Sequence, residues 1–219
     1  MSDILQLPPI GWRECTFDPV RVRSTSRMEG RRTESVSAGT PYWKATYKAV
    51  YLSEVDFGLM DAFMMQAGED GDVFLAYDAF RPRPIMMDAK VPLAGVKASG
   101  GAFTGDAVIQ ALSARSLSLS GLPANFRFAP GDYVEIRKSP LMRSLHRVIA
   151  AAQASAVGEV SLSIRYNVDL QHFNTNCTAH LEKPSCTMQI DPDSYSATKS
   201  WSSREPSFNA TEVFIKDGT

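Results

Sequence analysis

Apolar and polar side chains alternate most regularly over residues 42–52. Period-two alternation with many aromatic residues is typical of a β-strand with one face buried. The apolar face of this predicted strand comprises Trp43, Ala45, Tyr47, Ala49 and Tyr51.

A capped helix is predicted directly after this strand. Ser53 offers an N-cap hydroxyl, Asp56 completes a capping-box-like pair, and Gly68 is placed to end the helix. We expect Phe63 and Leu59 to pack on the strand face formed by Trp43, Tyr47 and Tyr51. The apolar stripe of the helix comprises Val55, Leu59, Met60, Phe63 and Met64.

The chain before the strand is predicted to be extended. Met1–Asp18 contains prolines and apolar anchors, which indicates an arm. Val20–Val36 is rich in Arg, Ser and Thr and is interpreted as one strand or two, with a loop around Met28–Gly30. After the helix, the prolines of the Arg81–Pro84 segment require a strand to end there or to run along an edge.

Short alternating runs separated by turn signals follow in the second half of the chain. Their spacing of about ten residues predicts a compact antiparallel barrel or sandwich. The runs are Ser116–Leu122, Asp132–Arg137, Ser144–Ala150 and Glu159–Tyr166, and a last alternating run covers Thr211–Ile215.

The predicted fold is therefore mainly β with one helix, in the α+β class. Residues 1–89 form an antiparallel β-sandwich or barrel domain with an N-terminal arm. Residues 90–191 form a second, small β-barrel or sandwich domain. Residues 192–219 are a C-terminal arm whose end, Glu212–Ile215, returns to a sheet as a strand.

Composition and charge narrow the possible partners. The 219 residues are 44% hydrophobic, which suffices for a core, and carry a net charge of −1. This balance favours neither nucleic acid nor a membrane as a partner. The N-terminus lacks the pattern of a secretory signal, and no apolar run reaches the roughly 20 residues of a membrane span. We expect a soluble product made in a cytoplasm, with Cys15, Cys177 and Cys186 as free thiols.

One group of residues has the chemistry of a metal site. His172, Cys177, His180 and Cys186 are suitable zinc ligands, but they lack the close ligand pairs that structural zinc sites carry. A loop without metal is therefore the favoured interpretation. The chain also lacks G-x-S-x-G, G-x-x-x-x-G-K-[ST] and G-x-G-x-x-G, so no catalytic residue and no cofactor is predicted.

Aromatic residues leave a second interpretation open. Exposed rings can stack on sugars, and a sugar-binding or host-surface-binding β module is the alternative function. The candidate rings are Trp43, Tyr47, Tyr51, Tyr195 and Trp201. A metal-dependent enzyme using the histidine–cysteine group is a third possibility.

Several segments together resemble a family of viral proteins. The stretch GRRTESVSAGTPYWKATYKAVYLSEVDFGLMDAFMMQAGEDGDVFLAYD resembles the N-terminal region of distal tail and baseplate-ring proteins of tailed bacteriophages. The later pieces FRFAPGDYVEIRKS, SLHRVIAAAQASAVGEVSLSIRY and KPSCTMQID are similar to the second β-rich domain of such tail proteins.

The resemblance implies a structural, non-enzymatic virion protein that assembles in the host cytoplasm. It implies a homo-oligomeric ring of six at the distal end of a phage tail, linking the tail tube protein to the tail tip or baseplate hub. Other virion connectors, such as a tail terminator or a head–tail adaptor, have similar folds. Candidate subunit-interface residues are Trp12, Phe17, Arg21, Arg23, Arg31, Arg32, Glu69, Asp70 and Asp72.

Overall fold

The computed structural model describes residues 4–30, 32–37, 39–67, 72–201 and 203–215. Within these ranges the chain is mainly β with one helix, which confirms the predicted class. In chain order the elements are β1 Leu5–Gln6, β2 Trp12–Val20, β3 Arg23–Arg27, β4 Thr33–Ser37, β5 Tyr42–Ala49, α1 Glu54–Ala67, β6 Phe74–Ala76, β7 Gly95–Val96, β8 Ala102–Phe103, β9 Asp106–Leu112, β10 Ser116–Ser120, β11 Arg127–Phe128, β12 Tyr133–Arg137, β13 Arg143–Val148, β14 Ala152–Gln153, β15 Val160–Arg165, β16 Thr178–His180, β17 Cys186–Ile190 and β18 Ser207–Glu212.

Contacts divide the chain into two compact units. The barrel unit consists of Phe74–Thr187 with short terminal pieces, and the sheet unit consists of Pro8–Val73 and Met188–Val213. These boundaries differ from the predicted ones at residues 89 and 191. Residues 74–89 belong with the barrel because polar contacts tie them to it. The Ile85 N–H donates to Asp132 at 3.0 Å, and Arg83 pairs with Glu182 at 2.8 Å.

The barrel unit contains a closed antiparallel barrel with strand order β10-β15-β13-β12-β16-β9. Alternation produces its core, since Val160, Leu162 and Ile164 of β15 are buried while the residues between them are exposed. The four alternating runs predicted for this region each form a barrel strand: β10, β12, β13 and β15. These barrel strands are confirmed, with ends shifted by one or two residues.

The sheet unit contains an antiparallel sheet in which β18 lies between β5 and the last three residues of β17, and β2 pairs with the other side of β5. Trp43, Ala45, Tyr47 and Ala49 are buried, as the alternation predicts. Tyr51 lies beyond the end of β5 and is 50% exposed, so its assignment to the buried face was wrong.

The helix α1 has the predicted cap and a different buried face. The Asp56 N–H donates to Ser53 Oγ at 3.1 Å, and Ser53 Oγ donates to the Asp56 carboxylate at 2.8 Å. Phe63 is buried and lies 5.8 Å from the ring of Phe208. Leu59 is 45% exposed, so the prediction that it is buried was wrong. The buried side comprises Phe57, Met60, Phe63 and Ala67; Gly68 lies outside the described residues.

Both predicted arms contain strands that pair with other strands of the chain. Within Met1–Asp18, β1 pairs in parallel with β6, and β2 pairs with β5 along its whole length. At the other end, the return strand covers Ser207–Glu212 rather than Glu212–Ile215. Its position follows from Phe208 and Ala210, whose alternating burial fits the sheet.

Candidate functional site

The four candidate metal ligands do not come together. Cys177 lies in the barrel core, and Cys186 is buried on β17. The His180 Nδ1 lies 2.5 Å from the Asp106 carboxylate, and the His172 Nδ1 lies 2.7 Å from Asp169. Across the described ranges, no three His, Cys, Asp or Glu side chains are grouped to hold a metal ion. The two histidines therefore belong to separate pairs with aspartates, and the two cysteines are buried thiols.

A serine–histidine pair on β13 has the spacing of a catalytic dyad but a different chemistry. The His146 Nε2 lies 2.8 Å from Ser144 Oγ, and its Nδ1 lies 3.0 Å from the Tyr166 carbonyl oxygen. A carbonyl only accepts, so Nδ1 carries the proton and Nε2 accepts from the serine. Burial lowers the pKa of His146 to about 4. A general base works best with a pKa near the operating pH, so this pair fits a structural role.

Glu135 is a fully buried charged group of the barrel unit. Its neighbours Val134 and Ile136 belong to the barrel core, so the carboxylate points to the outer side of the barrel, where it is fully buried. Arg137 Nε and Arg143 Nη1 donate to one carboxylate oxygen at 2.7 and 2.9 Å. The Ser185 N–H and Oγ donate to the other at 2.9 and 3.1 Å. A carboxylate with all its acceptor positions occupied stabilises the fold and has no position free for a substrate.

The aromatic residues proposed as a sugar platform are divided between core and surface. Trp43 and Tyr47 are buried and cannot stack on a ligand. Trp201 is 96% exposed and Tyr51 is 50% exposed, and the Tyr51 hydroxyl donates to the Trp201 carbonyl oxygen at 3.3 Å. Tyr195 is half-buried. A single stacking surface built from all five rings is therefore not present.

The predicted interface residues fall into three groups. Phe17 is buried against Trp43 and belongs to the core of the sheet unit. Trp12 is half-buried, and its ring centroid lies 5.2 Å from that of Tyr47. Four residues are exposed, and three lie outside the described residues. The exposed ones are Arg21, Arg23, Arg32 and Asp72, and the others are Arg31, Glu69 and Asp70.

Sequence reasoning missed one feature of β3 and β4, which is that both strands are exposed along their whole length. We call Arg23–Arg27 and Thr33–Ser37 the ribbon. Its strands pair antiparallel with Arg23 opposite Ser37, and all ten of their residues are exposed. The ribbon continues the β2–β5 pair outward, because β3 directly follows β2 and β4 directly precedes β5. An isolated two-stranded hairpin is marginally stable in water, so a ribbon without a buried face is typical of a segment covered on assembly.

A second exposed apolar surface lies on α1. Val55 is 75% exposed, Leu59 45% and Met65 70%, and the exposed Gly58 and Ala62 lie between them on the same side of the helix. We call these five residues the outer face of α1; the exposed polar Gln66 lies on the same side, in the last turn of the helix. The opposite side of the helix is buried, so the helix is apolar around most of its circumference. Such helices are typical of positions covered on both sides.

A buried carboxyl group in the sheet unit predicts a measurable pH dependence. Glu212 is 8% exposed and accepts from the Trp43 N–H at 2.9 Å. Burial raises the pKa of Glu212 to about 7, and the hydrogen bond offsets part of that rise. The folded protein therefore holds a proton that the unfolded chain, with a glutamate pKa of about 4.3, releases earlier.

The corresponding contribution to stability is complete below about pH 4 and is lost as the pH rises through about 7. We expect the free energy of unfolding to fall by about 2 kcal/mol more between pH 5 and pH 8 in the native protein than in Glu212→Gln, at 1.36 kcal/mol per pKa unit. Urea titrations of both proteins at the two pH values measure this. Parallel pH profiles would contradict the assignment.

Comparison with known protein families and with curated protein sequences gives no match for this chain. Across the residues that the structure describes, no helix has the length and hydropathy needed to cross a bilayer.

Proposed function

We propose that this protein is a structural, non-enzymatic subunit of a bacteriophage virion. In this proposal six copies form a ring at the distal end of the tail and join the tail tube to the tip or baseplate hub. The fully exposed ribbon is the observation that carries the proposal, because a two-stranded ribbon is marginally stable in water and gains a buried face when another chain covers it. The sequence resemblance to distal tail proteins supplies the place of the ring in the virion.

Several features favour ring assembly over a freely diffusing module. A closed ring uses two different surfaces on each subunit, one of which fits the other on the next copy. The ribbon and the outer face of α1 are two such surfaces, and both leave apolar side chains exposed. The buried charged groups of the barrel unit, such as Glu135, are occupied by internal partners. This supports a role of that unit as a rigid body rather than as a catalyst.

The proposal is tested by the size of the purified protein. Light scattering and negative-stain electron microscopy of the full-length chain should show rings. Replacing residues 21–41 with an Asn-Gly turn joins Val20 of β2 to its partner Tyr42 of β5 by a two-residue hairpin loop, for which this dipeptide is favoured. Because the ribbon has no buried residue, the shortened chain should fold with an unchanged thermal midpoint and remain monomeric.

Two outcomes would contradict the proposal. One is a full-length protein that stays monomeric at high concentration and is absent from rings in assembled particles. The other is a ribbon-deleted chain that still forms the same rings. The competing interpretation, a sugar-binding module, predicts a small particle that is retarded on a glycan column.

A further inference from the structure

We propose that the outer face of α1 is the docking surface for the ribbon of a second copy of this chain. This inference rests on the proposed ring and names the contact that would close it. It assigns a partner to a surface that includes Leu59, which the sequence pattern places in the core.

The glycine on the outer face is not required by the fold of its own chain. Gly58 lies inside α1, where glycine weakens a helix relative to alanine. A Cβ atom built at Gly58 would meet nothing within 4 Å. The protein therefore has room for alanine there and yet carries the residue that costs helix stability. A second backbone passing close to this point gives glycine a reason, and the small Ala62 one turn later widens the same approach.

Two exposed apolar residues, Val36 and Met28, lie on one side of the ribbon and its turn. Side chains directly opposite each other in an antiparallel pair lie on the same side, so Ser24 is beside Val36. The Met28 N–H donates to the Arg32 carbonyl oxygen at 2.9 Å, so the pairing continues one step beyond the strands. Val36 is 66% exposed and Met28 49%, and the small Ser24 and Ser26 lie on the same side. Glu34, opposite Ser26, and Arg32, opposite Met28, share this side and pair with each other at 3.5 Å. This side therefore offers two apolar residues near its ends together with one internal ion pair.

Net charge favours the ribbon among the possible occupants of the outer face. Helix α1 contains three acids, Glu54, Asp56 and Asp61, and no basic residue. Arg204 binds Glu54 at 3.1 Å and Lys199 binds Asp61 at 2.6 Å, which leaves a net charge of −1. Residues 21–37 contain five arginines and two glutamates, a net charge of +3. Two copies of α1 placed against each other, or two ribbons, would bring like charges within a Debye length of about 8 Å. A ribbon on a helix brings opposite charges together and orients the approach.

The first test uses two substitutions at Gly58. One is expected to stabilise the helix, and the other is expected to weaken assembly. Gly58→Ala should raise the thermal midpoint of the dissociated chain by about 2–4 °C, since alanine favours the helix. Gly58→Leu places a large side chain where the second backbone would pass. It should raise the concentration at which rings dissociate at least tenfold while the chain stays folded. A Gly58→Leu protein that assembles like the native one would overturn the proposed contact.

The second test uses a matched pair of exposed valines. Val55, on the outer face, is 75% exposed, and Val157, in the barrel unit, is 67% exposed. Val55→Lys should abolish rings seen by light scattering, whereas Val157→Lys should leave them intact. Equal behaviour of the two variants would contradict the role of the outer face.

The third test identifies the occupant by cross-linking in a Cys15→Ser background, in which the two remaining cysteines are buried. Val36→Cys and Leu59→Cys proteins, mixed and treated with a short bis-maleimide, should yield a covalent dimer containing one of each. Val36→Cys mixed with Val157→Cys is the control and should not cross-link. A dimer between two Leu59→Cys chains would assign the outer face to helix–helix contact instead.

The outcomes separate this inference from the proposed function. Rings without the mixed cross-link, and without an effect of Val55→Lys, would remove the ribbon–helix contact and leave the ring intact. Absence of any association in the native protein would remove both.

Discussion

Glu135→Ala is expected to lower the free energy of unfolding by about 3–5 kcal/mol. The substitution removes the anion that faces Arg143, whose side chain is only 6% exposed. Burial already lowers the pKa of Arg143, and the carboxylate of Glu135 opposes that effect. Without the carboxylate the guanidinium stays buried and uncompensated, and the Ser185 N–H loses its acceptor.

Two controls make this prediction specific. Arg137 binds the same carboxylate, but its side chain is 30% exposed, so Arg137→Ala should cost no more than about 1 kcal/mol. Replacing Glu135 and Arg143 together by methionine removes both charges and should recover most of the loss. Urea titration measures all three variants. A loss below about 1 kcal/mol for Glu135→Ala would show that the network contributes little to the stability of the barrel unit.

The barrel strands were predictable because their alternation of apolar and polar residues fits a strand and does not fit a helix. In β15 every second residue is buried, and no helical spacing fits the same letters. The Glu135 network was not predictable, because only Arg137 is close in sequence, while Arg143 and Ser185 lie 8 and 50 residues away along the chain. The barrel brings Ser185 beside β12 only after the strands have closed, and no local pattern marks that pairing.

For α1, in contrast, the spacing of apolar residues does not identify which face is buried. Val55 and Leu59 are as apolar as Phe57 and Met60, so the sequence allows more than one rotation of α1 about its axis. The sheet beneath selects the rotation that places Phe57, Met60 and Phe63 inward. The apolar residues left outside then become informative, since the fold of the chain does not account for them. Leu59, whose exposure contradicts the core prediction, is one of the residues that support the assembly proposal.

The last strand shows the same difficulty at the other end of the chain. Two phenylalanines six residues apart, Phe208 and Phe214, both occur in alternating surroundings. The sequence favoured a strand around Phe214, whereas the structure places the strand around Phe208, which is 1% exposed, and leaves Phe214 63% exposed. Pairing with β5 decides between them, because Phe208 lies opposite Tyr47 in the register.

Phe208→Ala is therefore expected to cost about 3–5 kcal/mol of unfolding free energy, the usual range for a buried phenylalanine. Its ring stacks on Tyr47 at 5.2 Å and also contacts Trp12 at 6.1 Å and Phe63 at 5.8 Å, so truncation leaves a cavity among three aromatic side chains. Phe214→Ala removes the same atoms from a surface position and should change stability by no more than about 0.5 kcal/mol. Denaturant titration of the two variants compares them directly, with the combined fluorescence of Trp12, Trp43 and Trp201 as the signal. If Phe214→Ala proved the more damaging change, the strand would lie where the sequence pattern placed it, and the assignment of Ser207–Glu212 to the sheet would be wrong.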